Sequence, residues 1–475
     1  MLTVLFFNEK IEQILFFTVV LWYNRTKGSK ITFNKLIKDF STSISGGEID
    51  RKEHVVYKIV HHTTIIMDLK VMEQIFNDTA YVRRSGTDGE LRCAEYIKEQ
   101  CEKLFGKKAT IEEFEVDMAT IQEAKFIVDG KEIPCTGYFC AGDDEEVEAP
   151  LYYMPHTDKY ALSQCKGKIV LLDGAAGYWL YKDLLDNGAV GFVTYNGNVT
   201  FPDEDIDQKE LRFYAEHDKV IPAVCIHVKQ AIELVKNKAK TAKIVLKQEV
   251  TKGKSHNVVL TIPGECDEFI TFTAHYDSVP LSVGMYDNMS GCVGLLGIAE
   301  QLVDKTHHYG LRFIWCGSEE RGLLGSKAYA TAHEEELKNA VLSINLDMIG
   351  CIMGKFVGCA TADEKLIHYV EYMACMEGFS ISTSCDVYPS DSTPMADKGV
   401  PAITFARSAP PSTATIHNRY DTLASMSMEQ MQEDIDFISK FAKNMADAKK
   451  CPVPKEIPEK MKEKLDYYLN RKREK

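Results

Sequence analysis

From about residue 256 to residue 450 the sequence repeats one rhythm. A short, mostly apolar run is followed by a polar cluster and then by a longer segment with helical periodicity. The apolar runs are 269–274, 311–316, 340–345 and 400–405; the helical segments are 292–303, 325–337, 364–376 and 428–445. Runs without regular polar alternation predict strands buried on both faces, which is the situation of a sheet covered by helices on both sides. The last helix carries its own start signal: Ser427 with Gln430 at capping-box spacing, then Met431, Ile435, Ile438, Ala442 and Met445 on one face. The expectation is an α/β fold, a three-layer α/β/α domain with a mostly parallel mixed sheet, whose functional residues lie beyond the carboxyl ends of the strands.

Upstream, residues 67–105 read as helix broken at Arg84-Ser85-Gly86. Thr87 is a predicted N-cap with Glu90 at capping-box spacing. Residues 109–117 alternate and predict a strand. Residues 118–250 change character. Short strand-like runs at 125–128, 168–172, 190–194 and 221–226 are punctuated by Asp129-Gly130, Lys166-Gly167, Asp173-Gly174 and Asn187-Gly188. The acidic stretch 143–148 is predicted as a surface loop. The segment 118–250 is expected to be a small β-rich inserted domain, and 451–475 a charged tail, either a peripheral helix or a disordered end.

Residues 1–66 are expected to be an extension outside the folded unit, which would begin near Met67. The run 14–23 is apolar but too short to span a bilayer, which needs about 20 residues. It lacks the cationic start and small-residue cleavage site of a signal peptide. Membrane contact through residues 1–23 is the alternative to a cytoplasmic location. Fourteen cysteines contain no Cys-x-x-Cys pair and many sit in apolar runs, which predicts free thiols in a reducing compartment. Lys plus Arg is 56 against 70 Asp plus Glu, a net charge of −14 that argues against a nucleic-acid partner.

Polar clusters follow the predicted strands: His275-Tyr276-Asp277, Asp287-Asn288 within a Gly-flanked loop, Glu319-Glu320, Asn345-Leu346-Asp347-Met348, and His417 with Asp421. Singly, each is an ordinary strand end, turn or cap. Together, at the ends of successive strands, they crowd acidic groups into one crevice, where carboxylates repel one another unless cations neutralise them. Two histidines with several carboxylates are a ligand set that suits zinc. Two metals about 3.5–4 Å apart lower the pKa of a shared water, and a nearby free carboxylate can move its proton.

In these motifs the sequence resembles the co-catalytic di-zinc aminopeptidases of metallopeptidase family twenty-eight. The resemblance covers about 256–450, with all five motifs in order, and implies that 67–117 belongs with 251–450 to one domain. Residues 118–250 resemble the protease-associated domain inserted in some peptidases. The resemblance implies a hydrolase, a zinc exopeptidase binding two Zn2+ ions. His275 and Asp347 would hold one ion, Glu320 and His417 the other, and Asp287 would bridge. It implies Glu319 as general base and Asp277 as the carboxylate fixing the His275 tautomer. The implied partner is a peptide; association between copies of the chain stays open. A carboxypeptidase or dipeptidase would share the ligands, and an inactive binding module is the remaining alternative. Ser390-Asp391-Ser392 resembles a family Ser-Asp-His segment, with Ser392 where a histidine is common, so a site role for Asp391 stays open. Arg407 is either a surface residue or a contact for a substrate carboxylate, and His307-His308 is predicted to lie in an exposed turn.

Overall fold

Helix Leu69–Asp78 starts where the Asp68 carboxylate accepts from Lys70 N (2.9 Å), and it buries Met72, Ile75 and Phe76. The second helix, Asp88–Phe105, ends at Gly106, whose φ of 63° closes the last turn without the Cβ penalty. Its start differs from the predicted capping box. The Thr87 hydroxyl donates to Arg84 O, and Glu90 turns into the core. There Glu90 accepts from Gly86 N (2.7 Å) and from the Ser255 hydroxyl (2.6 Å), and burial holds its carboxyl up at about 8. The computed structural model describes residues 67–142, 145–203, 205–212, 216 and 219–473. The expectations for 1–66, including the apolar run 14–23, lie outside these residues.

The strands are β1 (Thr110–Val128), β2 (Lys131–Ile133), β3 (Cys135–Gly137), β4 (Glu145–Met154), β5 (Ile169–Leu172), β6 (Gly191–Asn196) and β7 (Ala223–His227). They continue with β8 (Thr241–Ile262), β9 (Phe269–His275), β10 (Gly310–Cys316), β11 (Ala340–Leu346), β12 (Lys355–Thr361), β13 (Ser382–Cys385) and β14 (Ala402–Ser408). Their spatial order is β13-β12-β14-β11-β9-β10-β8-β4-β5-β6-β7-β3. The centre, β14-β11-β9-β10, is parallel throughout, so those carboxyl ends open on one edge. Helix Ser290–Leu302 is buried nearly all round, as the central crossover must be when sheet covers one side and other helices the opposite one. Gly291 is needed there, because a Cβ at that position would lie 2.5 Å from Leu346 O.

β1 and β8 form one long antiparallel ladder from Thr110↔Val259 to Val128↔Ala242, with a bulge at Gln122 where the register shifts by one residue. At one end β8 pairs with β10, at the other with β4. Two apolar cores flank this ladder. One gathers Phe272, Phe313, Trp315, Leu296, Phe405 and Phe441; the other gathers Phe126, Ile169, Tyr181, Phe192, Val224 and Leu246. The boundaries expected at 117/118 and 250/251 fall inside the ladder, where Asp117 faces Lys252 and Met118 faces Thr251. The cores are distinct, but the strands run through without a linker.

Local expectations are corrected at four places. Residues 145–148 open strand β4, and Glu146 pairs with Lys243 at 2.5 Å. The helix predicted over 325–337 breaks at His333, whose ring sits between Glu336 (2.9 Å) and Glu112 (3.0 Å). His307 is buried, with Nδ1 2.5 Å from Asp447 Oδ1 and Nε2 3.0 Å from Leu302 O. The strand predicted over 109–117 is the first part of the much longer β1. The charged tail forms helix Glu459–Tyr468, with Met461 and Leu465 packed on Ala396 and Ala402. All fourteen cysteines are free. Among the described residues no helix is long and apolar enough to cross a membrane.

Candidate metal centre

Each central parallel strand delivers one part of the site just past its carboxyl end. β9 ends on His275, which is buried at 1% exposure. β10 leads through Ser318, at φ 57°, into the tight turn Glu319–Arg321. After β11, Asp347 N donates to Phe405 O (3.0 Å), which aligns Asp347 beside β14. The loop after β14 brings in His417 at φ 60°.

Two trios of ligand atoms result, His275–Asp287–Asp347 and Asp287–Glu320–His417, each with all three atoms within 4.8 Å of one another. Asp287 belongs to both. Its Oδ1 lies 3.2 Å from His275 Nε2 and its Oδ2 3.1 Å from His417 Nε2. Glu320 Oε2 is 3.1 Å from His417 Nε2, and Asp347 Oδ1 is 3.8 Å from His275 Nε2. Glu319 belongs to neither trio, yet its Oε2 is 3.9 Å from His275 Nε2. The five residues proposed as ligands and the proposed base are thus brought into one crevice.

The electrostatics are those of a site built for cations. Burial pushes the Asp347 carboxyl up to about 7 and raises Glu319 and Glu320 as well. Burial opposes charge on His417, but Asp287 and Glu320 outweigh it and hold the imidazole up at about 11. Asp347 Oδ1 and Glu320 Oε1 are buried and accept no hydrogen bond among the described residues. Unsatisfied carboxylate oxygens in such a place are costly unless a cation completes them, so the donor set fits the metal it would hold.

The scaffold beneath the ligands is only partly the one the sequence implies. Asp277, expected to fix the His275 tautomer, has Oδ1 3.5 Å from His275 Nδ1, which has no hydrogen-bond partner among the described residues. The same carboxylate accepts the backbone N–H groups of Glu319 (2.9 Å) and Glu320 (3.2 Å), and so sets both glutamates. Asp421, buried, accepts from Tyr286 N (2.7 Å) and Asp287 N (3.1 Å) and fixes the loop that carries Asp287. Asn288 bonds Leu346 O (2.9 Å) and Met348 N (3.0 Å), tying that loop to the end of β11. Arg83 donates to the carbonyls of Tyr276 (2.6 Å), Val283 (2.5 Å) and Gly284 (2.9 Å) behind the site. Its only sequence signal was its place before the Arg84-Ser85-Gly86 break.

Asp391 is fully buried nearby, its carboxyl pushed up to about 6 by burial and acting on His275 and Glu319 through space. Ser392 bonds Thr404 Oγ1 (2.8 Å). Arg407 faces neither solvent nor substrate: its Nε lies 2.9 Å from Asp434 Oδ2 in a buried ion pair. Replacing Asp434 with Ala should therefore cost about 3–5 kcal/mol in denaturant unfolding, because an unpaired guanidinium is left buried.

A parallel sheet that aims two imidazoles and several carboxylates into one buried crevice forms a candidate metal centre. Residues 257–442 match the model of peptidase family M28. Aminopeptidase YwaD of Bacillus subtilis (strain 168) is 28% identical over 340 residues, 68% of this chain and 72% of that protein. The solved structure of BSAP, a zinc aminopeptidase from Bacillus subtilis, superposes with a TM-score of 0.66 at 25% identity, covering 82% of this chain and 96% of that one. The aminopeptidase from Aneurinibacillus sp. strain AM-1 shares the fold, with a TM-score of 0.68 at 22% identity over 83% of this chain and 98% of its own.

Proposed function

We propose that the protein is a zinc-dependent aminopeptidase that releases an apolar residue from the amino end of a peptide. The observation that carries this is the pair of trios sharing Asp287 with Glu319 free beside them. His275 and Asp347 would hold one of two zinc ions, Glu320 and His417 the other, and Asp287 would bridge. Bound zinc supplies Lewis acidity, which polarises a carbonyl and makes water acidic enough to attack it. Glu319 takes the proton of the attacking water and returns it to the leaving amine, a task for a carboxylate that is unligated and within reach. Asp277 keeps Glu319 aimed through its backbone N–H, and the acidic excess of the crevice favours a free α-ammonium over a carboxylate.

Beside His417 lies a cavity of 790 Å³ whose lining includes Tyr286, Met348, Val357, Tyr388, Ala406 and Ile416. Such a wall suits the side chain of a Leu or Met residue. Asn196, Phe201, Asp205, Asp207 and Lys209 of the inserted segment also line the cavity, which supports a role for that segment in narrowing access to the site. The fourteen free thiols fit a reducing, cytoplasmic setting.

The full chain should hydrolyse leucyl arylamide faster than aspartyl arylamide, lose activity to a chelator and regain it with zinc. Cleavage only of N-acetylated peptides, with the free-amine substrates untouched, would instead support a carboxypeptidase.

A further inference from the structure

A second cavity, of 310 Å³, also reaches His417, and its lining sets four cationic side chains, Arg84, Lys209, Arg212 and Arg321, among the carboxylates Asp207, Glu210, Asp277 and Glu320. Two of the cations are neutralised locally. Lys209 Nζ lies 2.5 Å from Asp207 Oδ2, and Arg321 forks onto Glu210 at 2.7 and 2.5 Å. Arg212 donates to the backbone carbonyl of Glu320 and has no carboxylate partner among the described residues. The Arg84 guanidinium has no hydrogen-bond or ion-pair partner among them. Its guanidinium lies 3.9 Å from the centre of the Phe139 ring.

Burial and then the neighbouring Arg321 act against the charge on Arg84 and outweigh the attraction of Glu210, so its pKa is lowered. Glu210 is itself engaged by Arg321, and a half-buried cation whose nearby carboxylate is already taken is unfavourable until a further anion arrives. A guanidinium fork matches a carboxylate in particular. The larger and smaller cavities share His417, Asp207 and Lys209. A peptide whose first side chain fills the larger one therefore directs its remainder toward the smaller. In a di- or tripeptide that remainder ends in a carboxylate.

We propose that Arg84, supported by Arg212, forms a subsite for the terminal carboxylate of short free peptides, which makes the enzyme a di- and tripeptide aminopeptidase. The inference rests on the aminopeptidase reading above. Its test is kcat and KM of the zinc-loaded full chain on Leu-Gly, Leu-Gly amide, Leu-Asp amide and leucyl arylamide, for wild type, Arg84→Met and Arg84→Lys. Leu-Gly should be favoured over its amide by about 10–100-fold, the range of a charge-assisted hydrogen bond, chiefly through KM. Arg84→Met should abolish that preference and leave arylamide turnover within about twofold, while Arg84→Lys keeps part of it.

Equal rates on Leu-Gly and its amide in wild type would overturn the subsite, as would a preference that survives Arg84→Met. Leu-Asp amide favoured over Leu-Gly would move the recognised carboxylate from the chain end to a side chain and overturn the assignment. Failure of wild type on leucyl arylamide together with every Leu peptide would overturn the aminopeptidase reading itself, a result distinct from lost discrimination.

Discussion

Glu319→Gln should lower kcat by about 10²–10⁴-fold while bound zinc stays at the wild-type level. The substitution keeps the side chain's shape and length. It removes only the capacity to hold a proton, since an amide oxygen is a far weaker base than a carboxylate. Glu319 lies outside both trios, 3.9 Å from His275 Nε2, so no ligand atom is lost. Its backbone N–H still meets Asp277, so the turn that places Glu320 persists. The loss should fall on kcat with KM nearly unchanged, because proton transfer is made in the transition state and not on binding. Turnover close to wild type would remove Glu319 from the role of base.

Asp287→Asn should have the larger effect, through the metals themselves. Asp287 alone belongs to both trios, one oxygen toward His275 and the other toward His417. Asparagine retains one ligating oxygen and turns an NH₂ group, which cannot ligate, toward the other position. Zinc affinity should drop by more than the 10–100-fold typical of residues one step behind a metal. Zinc should raise the Tm of the wild-type protein, as any ligand of the folded state does, and leave that of the variant nearly unmoved. An unchanged zinc content and zinc-induced Tm shift in Asp287→Asn would refute the bridging assignment.

The central strands and the order of the ligand motifs were legible in the sequence because each physical cause is local. Uninterrupted burial writes itself as an apolar run, as in β9 and β11, and a ligand at a strand end follows that run directly. What depends on distant partners was not legible. The outer part of β1 is a half-exposed edge of a ribbon, and its alternation carries no marker of how far the pairing extends. Glu90 has the spacing of a helix cap, but Ser255, far along the chain, draws it inward. Arg407 and His307 were read as exposed or substrate-facing because Asp434 and Asp447, which bury them, lie on a helix separated from both in sequence. The support given by Asp421 to the Asp287 loop is hidden for the same reason.

The long β1–β8 ladder makes strand register a ruler for the catalytic mouth. Glu210 and Arg212, on one core's side, meet Arg321 and the Glu320 carbonyl on the other. The span between them is set by how far apart the two strands hold the cores. Rotation about a point between 117 and 252 would require peeling apart paired backbone. Deleting one residue from either strand would slide the gauge by about 3.3 Å and turn every following side chain to the opposite face.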